Sequence, residues 1–149
     1  MKILLAVDGS KTSDAAVQAV AGRTWPAGSE VRIVSAVEPA VLPGYDTFGL
    51  SGQFYADLTR ASMSRASDAV AKAAAAVKAA HPEGLPLETE TLDGRASRAV
   101  LDEADRWGAD LIVVGSHGYG EVARLLLGSV SHAIAMHAKC SVEIVRTRA

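Results

Sequence analysis

The residue types best suited to chemistry fall in two short runs, Gly115-Ser116-His117-Gly118 and Gly128-Ser129-Val130-Ser131, with nine residues between them. The first run follows the apolar stretch Leu111-Ile112-Val113-Val114, and the second opens a helical pattern. Glycines at a strand end let the backbone turn sharply and let a ligand approach with no side chain in the way. A helix start offers unpaired N–H groups and the positive end of its dipole. Together these features describe an anion site, above all one for phosphate. The amides of Gly115 to Gly118 would meet a ribose or the first phosphates, and those of Gly128, Ser129 and Val130 the outer ones. Ser129 and Ser131 add hydroxyl donors. Asp8 closes another apolar run, Ile3 to Val7, and is followed by Gly9-Ser10. A carboxylate only accepts hydrogen bonds, so Asp8 suits a ribose hydroxyl or a phosphate-bound divalent cation better than a phosphate itself.

Templates for turnover are missing. There is no Gly-x4-Gly-Lys-(Ser/Thr) loop, no Gly-x-Ser-x-Gly elbow and no Cys-x-x-Cys, and no lysine or arginine is evidently aimed at a terminal phosphate. The chain is therefore expected to bind rather than to catalyse, with slow hydrolysis as the most it would do. His117 could touch phosphate or act as a base, and equally could be an ordinary loop histidine. His132 and His137 are five apart and share a helix face poorly, so no metal site is expected. Cys140 is the only cysteine; it reads as a small packed residue at a strand start, and no internal disulfide is possible.

The elements that must position these groups follow from periodicity. Ile3 to Val7 is a strand buried on both faces, as inside a parallel sheet. A helix capped by Thr12 or Ser13 carries Ala16, Ala19, Val20 and Arg23 and stops before Pro26. Val31 to Val37 is a second strand, closed by Glu38-Pro39. Residues 39–51 read as a loop whose Tyr45 and Phe48 could lie over a site or simply anchor the loop. Met63, Ala66, Val70, Ala73, Val77 and Ala80 form one stripe of a long helix from near Gln53 to Ala80. Residues 85–92 alternate as a third strand, and a helix over 95–107 buries Ala96, Ala99, Val100, Ala104 and Trp107 while solvating Asp102, Glu103 and Arg106. After the strand Leu111 to Val114, a last helix from Ser129 to about Lys139 leads into a half-covered edge strand at Val142 to Val145. The alternation of strands and helices implies an α/β fold, a parallel sheet with helices on both faces, whose ligand would sit beyond the carboxyl ends of the strands where strand order reverses.

At 149 residues the chain reads as one domain, 1–149. A net charge of -2 and the lack of a Lys/Arg cluster argue against nucleic acid as a partner. The N-terminal apolar run is too short for a signal or membrane segment, so a cytoplasmic protein is the expectation.

Gly115-x2-Gly118-x9-Gly128-Ser129 matches every fixed position of Gly-x2-Gly-x9-Gly-(Ser/Thr). With Ala6-Val7-Asp8-Gly9-Ser10, Leu125-Leu-Leu-Gly-Ser-Val130 and the element order, the chain resembles the universal stress protein family, in its ATP-binding branch. The resemblance implies an open, Rossmann-like five-stranded sheet in the order 3-2-1-4-5, of the adenine nucleotide alpha hydrolase type. It implies ATP, with Mg²⁺, as ligand, the adenine between the first two strands against the backbone of Ala36 or Val37, and Asp8 near the ribose. Ala6, Val7, Ser10, Ser116 and His117 join the expected site on the same grounds. The family likeness also implies a homodimer formed through the final strand, 141–147, acting in stress-response signalling. The competing expectations are a slow ATPase or phosphotransferase using Asp8 and His117, and an adaptor that binds no nucleotide.

Overall fold

The computed structural model describes residues 1–38, 52–118 and 127–147. Five parallel strands, β1 (Lys2–Ala6), β2 (Glu30–Val37), β3 (Leu87–Asp93), β4 (Leu111–Gly115) and β5 (Ser141–Val145), form one sheet in the order β3-β2-β1-β4-β5. Helices α1 (Lys11–Ala21) and α2 (Gly52–Ala80) cover one face; α3 (Ala96–Trp107) and α4 (Ser129–His137) cover the other. The unbroken apolar run in β1 is thereby explained. Ile3 and Leu5 face α1 and α2, Leu4 and Ala6 face α3 and α4, and a strand covered on both sides has no polar face.

Ala66, Val70, Ala73 and Val77 of the α2 stripe are buried, but Met63 is 53% exposed and Ala80 is also exposed. The buried positions of the long helix begin at Ala66, so among the described residues its first turns contribute nothing to the core. At α1 the cap is Ser10, whose Oγ accepts from the Ser13 amide at 3.2 Å, so the helix begins earlier than Thr12 or Ser13 as caps would give. The third strand starts at Leu87, two residues later than its alternation suggests, and α4 ends at His137 rather than Lys139.

Glu103 departs furthest from expectation. It is 2% exposed, not solvated. Its carboxylate accepts from Arg32 Nη1 at 2.5 Å and from Arg106 Nε at 2.7 Å, and Arg32 in turn lies 4.7 Å from the centroid of Trp107. A buried carboxylate is tolerable only with such partners, and nothing in the local helical period of α3 points to an arginine on β2. Among the described residues no helix is long and apolar enough to cross a membrane.

Candidate functional site

β1 and β4 lie side by side, and their neighbours β2 and β5 lead away in opposite directions, so the crevice opens between the carboxyl ends of β1 and β4. A cavity of about 400 Å³ occupies that place on the α3 and α4 side. Its floor is apolar, from Ala6, Val34, Ala36 and Val114, with Ala96 and Val100 of α3 as a side wall. Its polar rim is Asp8, Ser13, Glu38, Gly115, His117, Gly118, Gly128, Ser129, Val130 and Ser131. One side suits a flat ring and the other a charged group.

The two separated pieces of main chain do converge. The Gly128 amide donates to the Ser116 carbonyl at 2.8 Å, and Ser131 Oγ donates to the same carbonyl at 2.9 Å. This stitch brings the start of α4 against the turn after β4, and it also engages two groups expected to be free for a ligand: the Gly128 amide and the Ser131 hydroxyl. The amides left for an anion at this helix start are those of Ser129, Val130 and Ser131, which no intrahelical carbonyl can satisfy.

The helix starts around the cavity differ in how they are closed. At α1 the cap is tied in on both sides: the Ser10 amide donates to Asp8 Oδ1 at 2.9 Å, and the Asp8 amide donates to Ser13 Oγ at 3.1 Å. At α3 the Ala96 amide donates to Glu38 Oε1 at 2.9 Å. At α4 the cap residue is Gly128, and among the described residues no side chain caps the helix. Among the described residues, this start alone of the three presents its amides and dipole to the cavity without a side-chain acceptor.

The glycines have separable roles. A Cβ on Gly115 would lie 2.6 Å from the Thr12 carbonyl carbon and 2.7 Å from the Ser13 nitrogen, so this residue is small in order to let α1 approach β4. Among the described residues, a Cβ on Gly118 would meet Asp8 Oδ2 alone, at 2.9 Å, which makes it a guard of the space beside that carboxylate. Gly9, at φ 79°, turns the chain after β1. His117 is held by its backbone and ring: Thr12 Oγ1 donates to its carbonyl, and Nδ1 pairs with Ser116 Oγ at 3.1 Å. Its Nε2 is buried with no hydrogen-bond partner among the described residues.

Of the expected site residues, Ala6, Val7, Asp8, Ala36, Gly115, His117, Gly118, Gly128, Ser129, Val130 and Ser131 line the cavity. Ser10, Val37 and Ser116 do not. Ser10 is buried as the α1 cap, the Val37 carbonyl accepts from the Gly94 amide at 3.0 Å, and Ser116 holds the stitch just described. Ser13, Val34, Glu38, Ala96, Val100 and Val114 were not anticipated. The apolar four are indistinguishable from core by period alone, whereas Glu38, a charged residue directly after a buried strand, was a legible signal. The loop 39–51 with Tyr45 and Phe48, and the segment 119–126 inside the glycine motif, lie outside the described residues.

Groups of three or more His, Cys, Asp or Glu able to hold a metal are absent among the described residues. Burial raises the Cys140 thiol pKa, which keeps it protonated and inert.

The model of the universal stress protein family matches residues 1–146. The chain is 34% identical over 145 residues to the universal stress protein in QAH/OAS sulfhydrylase 3'region of Thermus aquaticus, covering 97% of each. It superposes on the universal stress protein UspA from Lactobacillus plantarum with a TM-score of 0.76, 25% identity, and 98% and 97% of the two chains covered. A universal stress protein in complex with cAMP is similar at a TM-score of 0.69 and 26% identity, covering 99% of this chain and 98% of that one. Sheet order, glycine spacing and whole-length similarity agree, and the chain belongs to the universal stress protein family.

Proposed function

We propose that this protein binds ATP, with Mg²⁺, and serves as a cytoplasmic nucleotide-dependent module of stress-response signalling rather than as an enzyme. The observation that carries the reading is the open N-terminus of α4: it faces a cavity whose other helix starts are closed by Ser10 and Glu38. The adenine would lie on Ala6, Val34, Ala36 and Val100, with the backbone of Ala36 and Val37 at its edge. Asp8 would meet the ribose. The phosphates would take the amides of Gly118, Ser129 and Val130 and the Ser129 hydroxyl, with His117 lining the same space. With no metal cluster of its own among the described residues, the protein would receive Mg²⁺ together with the phosphates, next to Asp8. The relative solved with cAMP supports an adenine nucleotide as the ligand class. A homodimer through the edge strand β5 and the residues to 147 completes the proposal, since β5 pairs only with β4 among the described residues.

Titration calorimetry with Mg-ATP tests this directly. Binding in the micromolar range is expected, and heat-denatured protein should release an adenine nucleotide; no heat and no released nucleotide would refute it. A slow hydrolysis is the second reading, favoured by His117 Nε2, which has no partner among the described residues. Intact ATP after prolonged incubation would discard it, and phosphate release abolished in Asp8→Asn would establish it.

A further inference from the structure

Besides the start of α1, closed by Ser10, two helix starts face the same cavity. Ala96, the first residue of α3, and Ser129, the first residue of α4, both line it. Two open starts would give two anion sites in one cavity, and an elongated anion could then lie either way round. One of the two is closed. The α3 cap residue, Arg95, makes no side-chain cap bond, and Glu38, reaching from the end of β2, takes its place on the Ala96 amide. A carboxylate at that wall repels phosphate and leaves only acceptor positions toward the cavity.

We propose that Glu38 is a specificity-determining residue: it fixes the orientation of the nucleotide and selects a base that carries an exocyclic amino group. The proposal rests on the nucleotide reading above and adds to it the residue that enforces it. Glu38, itself exposed, lines the same cavity as Ala36, Ala96 and Val100, so a flat ring lying on that apolar surface has the carboxylate at its edge. The ring edge that reaches Glu38 must donate. A 6-aminopurine does so through its amine, whereas a 6-oxopurine sets its carbonyl oxygen against the carboxylate, two acceptors with no hydrogen between them. The phosphates are thereby sent toward the uncapped start of α4.

The test compares ATP with inosine triphosphate on the parent and on Glu38→Gln. Gln keeps an oxygen for the Ala96 amide, so the helix cap survives, but it offers its NH₂ to the base and carries no charge. The parent is expected to prefer ATP about tenfold, the scale of one hydrogen bond to a charged, partly exposed group, and Glu38→Gln to erase that preference with an unchanged melting temperature. A purely structural role for Glu38 would leave the ATP to inosine triphosphate ratio unmoved in Glu38→Gln, and that result overturns the proposal, as does equal affinity of the parent for both. Should Glu38→Gln melt early, Glu38→Asp makes the same comparison, because the shorter carboxylate withdraws from the base; an undiminished preference there also overturns it. A parent that binds neither nucleotide refutes the function proposed above instead.

Discussion

Arg32 and Ala36 lie on the same face of β2, four residues apart, in opposite surroundings. At Arg32, toward the amino end of the strand, every charge is met from within: Glu103 and Glu88 bind the guanidinium, Arg106 joins Glu103 to Glu90, and Arg32 and Lys2 both lie over Trp107. At Ala36 the side chains shrink, and a cavity stands where the network would continue. Polar groups there are left uncompensated: the α4 amides have no cap and His117 Nε2 has no partner among the described residues. One end of the face is complete without a ligand, and the other, on the function proposed above, is completed by one. Removing a group should therefore cost stability at the first end and affinity at the second.

The largest effect should come from the closed end. Glu103→Ala leaves a half-buried guanidinium facing an empty site and is expected to cost about 3 kcal/mol. For a domain of this size that corresponds to a fall of about 10 °C in Tm, measurable by thermal denaturation. Nucleotide affinity of the folded variant should not change. The opposite result belongs to Gly128→Asp. Gly128 has φ -62° and ψ 157°, a conformation any residue accepts, and a carboxylate there would cap α4 as Glu38 caps α3. We expect nucleotide affinity to fall about a hundredfold, from a direct anion clash at the helix start, with stability kept. A Gly128→Asp protein that binds ATP like the parent would show that the phosphates lie elsewhere.

The difference between the two ends also explains what could be read from the sequence. The cavity end is built from main chain and glycine, whose requirements are strict in type and spacing, so Gly115, Gly118 and Gly128-Ser129 announce themselves. The strands are legible for a similar reason: β1 and β4 are covered on both faces and must be apolar throughout. At the closed end the logic is pairwise and long-range. Glu103 on α3 and Arg32 on β2 are 71 positions apart, and each alone reads as a surface charge. The same limit hid the separate purposes of Gly115 and Gly118. Only the approach of Thr12 and Ser13 to one, and of Asp8 to the other, distinguishes a packing glycine from a site glycine.

That distinction supplies a finer test within the open end. Gly118→Ala places a methyl against Asp8 Oδ2, the far end of a side chain rather than backbone, which must shift against its bond from the Ser10 amide, so the fold should survive within about 1 kcal/mol. Ligand affinity should fall about tenfold as Asp8 leaves its position, the scale of one lost charge-assisted hydrogen bond. Gly115→Ala, by contrast, pushes on backbone at 2.6 Å and should lower stability by about 2 kcal/mol. Equal melting temperatures for the two variants would show that the two glycines are not divided in this way.

The smallest effect lies on the opposite face of the sheet, where Arg23, just beyond α1, holds Glu143 of β5 through two hydrogen bonds of 2.8 Å. That pairing keeps the Glu143 carboxyl below its ordinary pKa of 4.5. A carboxyl whose pKa is lower folded than unfolded binds its proton more readily in the unfolded chain. Its contribution is then fully present above pH 4.5 and disappears as pH falls below that value through the folded pKa. Because both side chains are partly exposed, solvent screening holds the contribution to about 0.5 kcal/mol. The stability difference between the parent and Arg23→Ala should accordingly be constant from pH 7 to 5 and shrink in more acidic buffer. Since the pair ties an inner helix to the edge strand and touches no cavity residue, ATP affinity should be the same in both proteins across the neutral range. A pH-independent difference would mean that Arg23 acts through its packing on Trp25, 5.1 Å away, rather than through its charge.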